Sequence, residues 1–262
     1  VSNANNIHVF IGFDDAQPEA FDVCAWSISK HCGPNVFIHP LKHRDLRQIG
    51  LFNRPWAVES DGNWRDLQDT RPFSTTFSFT RFLVPQYWDY LGLWNDKDNR
   101  WAIFVDSDFV FTQDLDLLVT HAEETGKALS VVKHNYEGKS KPKMDGRDQA
   151  QYNCKLWSSL MVYDMYKYNV SDEDLDVNND TGRSLQTFDW YKPGLDNIGA
   201  LPEEWNFIPD HSEKTVLTPY AVHMTEGTPL HSGYEHTKYS GLFNQYLAEV
   251  RLEKARRLRD DI

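Results

Sequence analysis

Hydrophobic and polar positions along this chain switch between two periods. Ile7 to Phe13 is a largely apolar run closed by Gly12-Phe13-Asp14-Asp15, which predicts a buried strand ending in a turn. After Pro18 the spacing lengthens. Phe21, Cys24, Ala25 and Ile28 share one face and predict a helix over 18–31. Asn35 to Ile38 predicts a second short strand, so the chain opens β-α-β, the start of a parallel, nucleotide-binding α/β sheet. Residues 53–72 are polar and Trp-containing and predict a long irregular loop. Ser74 to Tyr90 predicts a helix, with Phe77, Arg81, Phe82 and Val84 near helical spacing and Pro85 kinking or ending it. Further strands are predicted at 101–105, Ala128–Lys133, Trp157–Tyr163 and Ala221–Met224. Residues 135–153 are polar and basic (Lys139, Lys141, Lys143, Arg147) and predict a mobile loop. Asp172 to Thr181 predicts an acidic surface excursion. Residues 240–259 predict an amphipathic, packed terminal helix with Phe243, Leu247 and Val250 inward and cations at its negative end. No repeat or linker divides the chain. One domain over 1–262 is expected, with a nucleotide-binding half over 1–110, an acceptor and sugar half over 111–239 and a terminal helix over 240–262.

The chemistry concentrates at residues 101–111, Trp-Ala-Ile-Phe-Val-Asp-Ser-Asp-Phe-Val-Phe. Five apolar residues run into Asp106-Ser107-Asp108, and an apolar run resumes at once. Carboxylates two residues apart at a strand end project to one side. Such a pair at the edge of a core is costly without a cation between its members. The stretch therefore predicts a divalent metal at the carboxyl end of a central strand, where α/β sheets bind nucleotides. The spacing alone is common here: Asp96/Asp98, Asp114/Asp116, Asp172/Asp174 and Asp174/Asp176 share it. Those pairs lie in polar or turn-like surroundings and read as solvated charge.

Composition narrows the choice of partner. The net charge of −12 argues against a nucleic-acid or anionic-membrane binder, so an anionic substrate would need a local cation. Aromatics make up 14% of the chain, which suits a carbohydrate or nucleotide pocket as well as a large core. Cys24, Cys32 and Cys154 lack metal-ligand spacing, so reduced thiols and a cytoplasmic setting are expected. No integral membrane segment or leader pattern is read.

Six segments in order carry a family resemblance: Ile11-Gly12-Phe13-Asp14-Asp15, Phe77 to Pro85, Asp106-Ser107-Asp108, Lys155 to Met161, Leu201 to Asn206, and His223-Met224-Thr225-Glu226-Gly227. Together they resemble metal-dependent glycosyltransferases of the GT-A fold, in the neighbourhood of glycosyltransferase family 8. The group most similar carries a Trp-Ser-Ser-Leu-Met strand and a Leu-Pro-x-x-Trp-Asn segment. The resemblance implies a Rossmann-like α/β fold with a mostly parallel sheet. It also implies transfer of a sugar from a UDP- or GDP-linked donor to a hydroxyl acceptor, with retention of configuration. Asp106, Asp108 and His223 would hold Mn²⁺ or Mg²⁺. Gly12, Phe13 and Asp14 match the strand end that binds base and ribose, although an ordinary turn gives the same residues. Arg81 would hold a ribose, a phosphate or an Asp of the metal loop, or form a structural salt bridge. Ser107, Lys155, Trp157, Ser158 and Gly227 fall in the donor-binding segments, with Trp157 either stacking on a sugar or packing in the core. Asp189 and Asn206 match the region facing the transferred sugar.

One departure stands out. The lysine that grips the diphosphate in family 8 is missing after Gly227, leaving His231, Lys238 or a lysine of the 135–153 loop as substitutes. The paired acids also fit a metal-dependent phosphohydrolase or nucleotidyltransferase, and the aromatic surplus fits a non-catalytic sugar-binding module.

Overall fold

The computed structural model describes residues 5–60, 64–135, 154–172, 174–209, 211–212 and 216–260. The basic 135–153 segment lies outside the described residues, except Asn135. The chain opens as predicted, with β1 (Asn6–Gly12), α1 (Pro18–His31) and β2 (Val36–Leu41). Then follow α2 (His43–Gln48), β3 (Trp56–Val58), β4 (Trp64–Asp66), β5 (Pro72–Phe73), α3 (Val84–Tyr90) and β6 (Asn99–Val105). The second half contains β7 (Phe109–Phe111), α4 (Leu115–Glu124), β8 (Leu129–Val131), β9 (Leu160–Asp164), α5 (Gly182–Gln186), β10 (Ile198–Ala200), β11 (Ala221–His223) and α6 (Ser240–Asp260).

Six strands form the main sheet in the order β10-β8-β9-β6-β1-β2. Strand β9 runs antiparallel to its neighbours β6 and β8, and the remaining pairs are parallel. Side chains alternate across the sheet. Ile7, Val9 and Ile11 of β1 and Trp101, Ile103 and Val105 of β6 pack with α1 and α4 residues such as Ile28 and Leu118. Phe10, Ala102 and Phe104 face the other way, against Phe82 and Trp88. Both faces are covered, which explains why these strands read as continuous apolar runs.

Several expectations need correction. Residues 53–72 are not simply irregular: β3, β4 and β5 make a small antiparallel sheet. Trp56 and Trp64 pack on Phe73 there at 5.5 and 5.7 Å between ring centroids. Arg54, fully buried, pairs with Asp66 at 2.6 Å and donates to the carbonyls of Val177 and Asp180. The 172–181 excursion is thereby tied to the same unit. The 74–90 helix is shorter than predicted. Thr80–Leu83 is a 3₁₀ turn, and Pro85 sits in the first turn of α3, where a missing N–H costs nothing. Trp157–Ser159 is likewise a 3₁₀ turn, and the strand begins at Leu160.

The terminal helix packs as expected. Phe243 and Leu247 join Val23 of α1, and Lys254–Asp22 and Arg251–Glu19 pairs lie at 2.6 and 2.8 Å. No helix among the described residues is long and apolar enough to cross a membrane.

Candidate metal centre

Strand β6 lies inside the sheet, between β9 and β1, and the chain leaves its carboxyl end at Asp106. The chain then turns through Ser107-Asp108 into β7, which leaves the main sheet and pairs antiparallel with β11. That register sets Phe109 opposite His223. Their rings stack at 4.2 Å, and Met224 N–H donates to the Asp108 carbonyl at 3.0 Å. A residue more than 110 positions downstream is thus delivered beside Asp108 by two short strands. One ligand atom from each of Asp106, Asp108 and His223 lies within 4.8 Å of the others.

The donor set fits a hard divalent ion. Ser159 Oγ–H donates to the Leu156 carbonyl at 2.6 Å, so Ser159 Oγ accepts from Asn206 Nδ2 at 2.9 Å. Asn206 Oδ1 is then the acceptor for His223 Nδ1–H at 2.8 Å. This fixes the tautomer and leaves the His223 Nε2 lone pair facing Asp108 Oδ1 at 3.3 Å. Ligands bonded at about 2.1 Å to an octahedral ion stand roughly 3 Å apart, so the spacing matches a coordination edge. Two carboxylates and a neutral imidazole suit Mn²⁺ or Mg²⁺.

Arg81 pairs with one of the two acids and also lines the larger of two adjoining clefts. Its guanidinium reaches Asp106 at 3.1 Å and donates to Ser158 at 3.2 and 3.3 Å. Its guanidinium carbon lies 5.5 and 5.3 Å from the centroids of the Phe77 and Phe104 rings. Behind the acids, buried Cys24 has its thiol pushed well up by burial and, less, by Asp108 and Asp106, so it stays protonated and inert.

Two clefts meet at this point. The larger, about 490 Å³, is lined by Arg81, Asp106, Asp108, Lys155, Ser158 and Gln186 among others. The smaller, about 270 Å³, is lined by Asp14, Gln17, Ser107, Asp108 and His231 among others. Asp108, Ser74, Thr75 and Phe77 line both. Lys155 is buried, and desolvation lowers its pKa while Glu226 pulls it back up.

Other expected residues stand elsewhere. Trp157 lines neither cleft: it packs on Phe188, carries Lys133 over its ring and donates to the His134 carbonyl. It is half-buried and packs against the edge of the core. Gly12 is small because of Phe77: a Cβ there would meet the ring at 2.6 Å. Gly227 has the same relation to Tyr234 at 2.7 Å. Phe13 packs on Phe21 under Lys42, outside both clefts. Asp189 is exposed and lines neither, whereas Asn206 is fully buried behind His223. Among the substitutes for the missing lysine, Lys238 is exposed and lies over Tyr239. His231 lines the smaller cleft beside Gln17, its Nδ1 accepting from Thr228 N–H at 3.1 Å.

Gln186 escapes sequence reasoning. It accepts from Ser158 Oγ at 2.7 Å and lines the larger cleft from α5, a five-residue helix with too little pattern to predict.

Comparison with known proteins agrees with this architecture. The glycosyltransferase GlyE of Streptococcus pneumoniae TIGR4 superposes with a TM-score of 0.52 at 13% identity, over 97% of this chain and 64% of GlyE. An active-site mutant of LgtC superposes with a TM-score of 0.50 at 11% identity, over 93% and 96% of the two chains. The fold is that of the GT-A glycosyltransferases, and this chain spans about two thirds of GlyE's length. No family model matches the sequence. At 34% identity over 257 residues, covering 96% of this chain and 90% of the relative, the chain belongs to the family of Protein CDI of Arabidopsis thaliana.

Proposed function

We propose that this protein is a metal-dependent glycosyltransferase that moves a sugar from a nucleoside-diphosphate sugar to a hydroxyl acceptor. The observation carrying this reading is the convergence of Asp106, Asp108 and His223 within 4.8 Å, with Asp108 lining both clefts and Asp106 the larger one. The smaller cleft opens beside the carboxyl end of β1 and takes the nucleoside, with Asp14 and Ser107 offered to ribose hydroxyls. The larger cleft takes the sugar, presenting Ser158, Gln186 and Lys155. Mn²⁺ or Mg²⁺ held by the three ligands supplies Lewis-acid stabilisation of the departing diphosphate.

The chain's own groups have separate tasks. Arg81 balances and orients Asp106, so this carboxylate keeps its direction when the cleft is empty. Lys155 brings a cation to the larger cleft, and desolvation, which lowers its pKa, also strengthens its field there. Retention of configuration is favoured by the carboxylates of the larger cleft. Asp106 and Asp108 face the metal position, and Asp69 accepts N–H groups of Gly182 and Arg71 at 2.7 and 3.0 Å. Among the described residues of that cleft, inverting transfer would need one of these three as a general base for the acceptor.

A panel of UDP- and GDP-sugars, followed by nucleoside diphosphate release with and without Mn²⁺, tests the proposal. Metal-dependent release that rises with an acceptor supports it. A hydrolase would release free sugar at full rate without one, and a sugar-binding module would show no metal-dependent nucleotide affinity.

A further inference from the structure

A second group of metal-ligating side chains stands outside the Asp106–Asp108–His223 set. His134 follows the carboxyl end of β8 by three residues, Glu203 opens the 3₁₀ turn Glu203–Asn206, and His211 lies just beyond it. One ligand atom from each lies within 4.8 Å of the other two. His134 is buried, with its side chain 1% exposed. Its Nε2–H donates to the Asn206 carbonyl at 2.8 Å, which leaves the Nδ1 lone pair turned towards Glu203. A backbone carbonyl holding one imidazole nitrogen while the other faces a carboxylate is the arrangement by which metal-binding histidines are oriented.

The spacing leaves room for an ion. His134 Nδ1 and Glu203 Oε1 stand 3.8 Å apart, beyond hydrogen-bond length. Two ligands bonded at about 2.0–2.1 Å to a tetrahedral Zn²⁺ stand roughly 3.3 Å apart, so a small rotation of the half-exposed Glu203 completes the geometry. Two imidazoles and one carboxylate form a borderline set that favours Zn²⁺ over Mg²⁺ or Ca²⁺. The Asp106–Asp108–His223 set is oxygen-rich and has the opposite preference.

We propose that His134, Glu203 and His211 form a second metal centre, selective for a borderline transition ion such as Zn²⁺ and joined to the first through Asn206. Asn206 accepts from His134 with its backbone carbonyl and from His223 with its side chain. An ion at the second centre holds Asn206 from behind and fixes the bond that orients His223.

Co²⁺ titration of the metal-stripped full-length protein separates the two centres, because tetrahedral Co²⁺ absorbs visible light far more strongly than octahedral Co²⁺. The wild-type protein is expected to develop the strong tetrahedral bands with one equivalent of Co²⁺ and to lose them when Zn²⁺ is added. His211→Ala and Glu203→Gln should each abolish those bands while far-ultraviolet circular dichroism stays native. Asp108→Ala should retain them. The proposal is overturned if the wild type shows no tetrahedral bands, if both partly exposed variants keep them, or if Asp108→Ala removes them.

Discussion

Asn206 Oδ1 accepts a hydrogen bond from His223 Nδ1 at 2.8 Å, and this contact aims the other imidazole nitrogen at Asp108. Asn206 comes from a loop whose next residue, Phe207, bridges to Val222 and accepts from His223 N–H at 2.8 Å. Position and protonation of the imidazole are therefore set by one neighbouring segment. Partners of this kind are typically worth 10–100-fold in metal affinity. Asn206→Ala should weaken Mn²⁺ binding by about that factor. Asn206→Asp, which keeps an acceptor for Nδ1–H, should recover part of the loss. Mn²⁺ titration followed by electron paramagnetic resonance measures both.

Arg81 and Asp106 form a buried pair at 3.1 Å. Removing one partner of such a pair leaves a desolvated charge and costs about 3–5 kcal/mol. Arg81→Met should lower the urea-unfolding free energy of the metal-free protein by about that amount. Saturating Mn²⁺ should narrow the gap between variant and wild type, because an ion beside Asp106 replaces the lost positive charge. An equal gap with and without Mn²⁺ would place the ion away from Asp106.

Phe77 lines both clefts and fills the space over Gly12. Gly12→Ala brings a methyl to 2.6 Å from that ring, so the ring or the strand end must move. Overpacking of this kind costs about 1–3 kcal/mol. The variant should lose nucleotide affinity together with stability. Gly12→Ala with Phe77→Leu should regain stability, as read by thermal unfolding.

His8 and His39 share a hydrogen bond at 2.9 Å between β1 and β2. Burial lowers both, and for His39 the effect, with a smaller contribution from His8, reaches about 4. A histidine whose folded pKa lies below its unfolded value near 6.5 stabilises fully above that value. As pH falls from about 6.5 towards 4, the unfolded chain takes up protons that the folded chain refuses, so stability drops. His39→Gln should flatten the pH dependence of the unfolding midpoint across that window.

The parallel core was legible because strands buried on both faces carry continuous apolar runs, and Pro18 marked the start of α1 at its observed residue. Asp106 and Asp108 were legible for the same reason: core residues frame them, whereas Asp114 caps α4 and Asp96 accepts from Asp98 N–H in a turn. Local pattern failed where tertiary contacts decide. The β3–β5 sheet depends on Arg54 and clustered aromatics, and Ser74–Leu83 is bent around the clefts rather than wound into a helix. Asn206 was assigned by motif order, which does not tell a residue facing the cleft from one buried behind it. His134 gave no signal until the fold set it beside Glu203 and His211.

The central claim is that Asp106, Asp108 and His223 hold the divalent ion that a nucleoside diphosphate requires. Mn²⁺ binding in the presence of UDP or GDP, compared between wild type and Asp108→Ala by electron paramagnetic resonance, tests it most directly. The wild type should gain a nucleotide-dependent bound Mn²⁺ that Asp108→Ala lacks while keeping its native melting profile. Equal nucleotide-dependent Mn²⁺ uptake by the two proteins would contradict the claim.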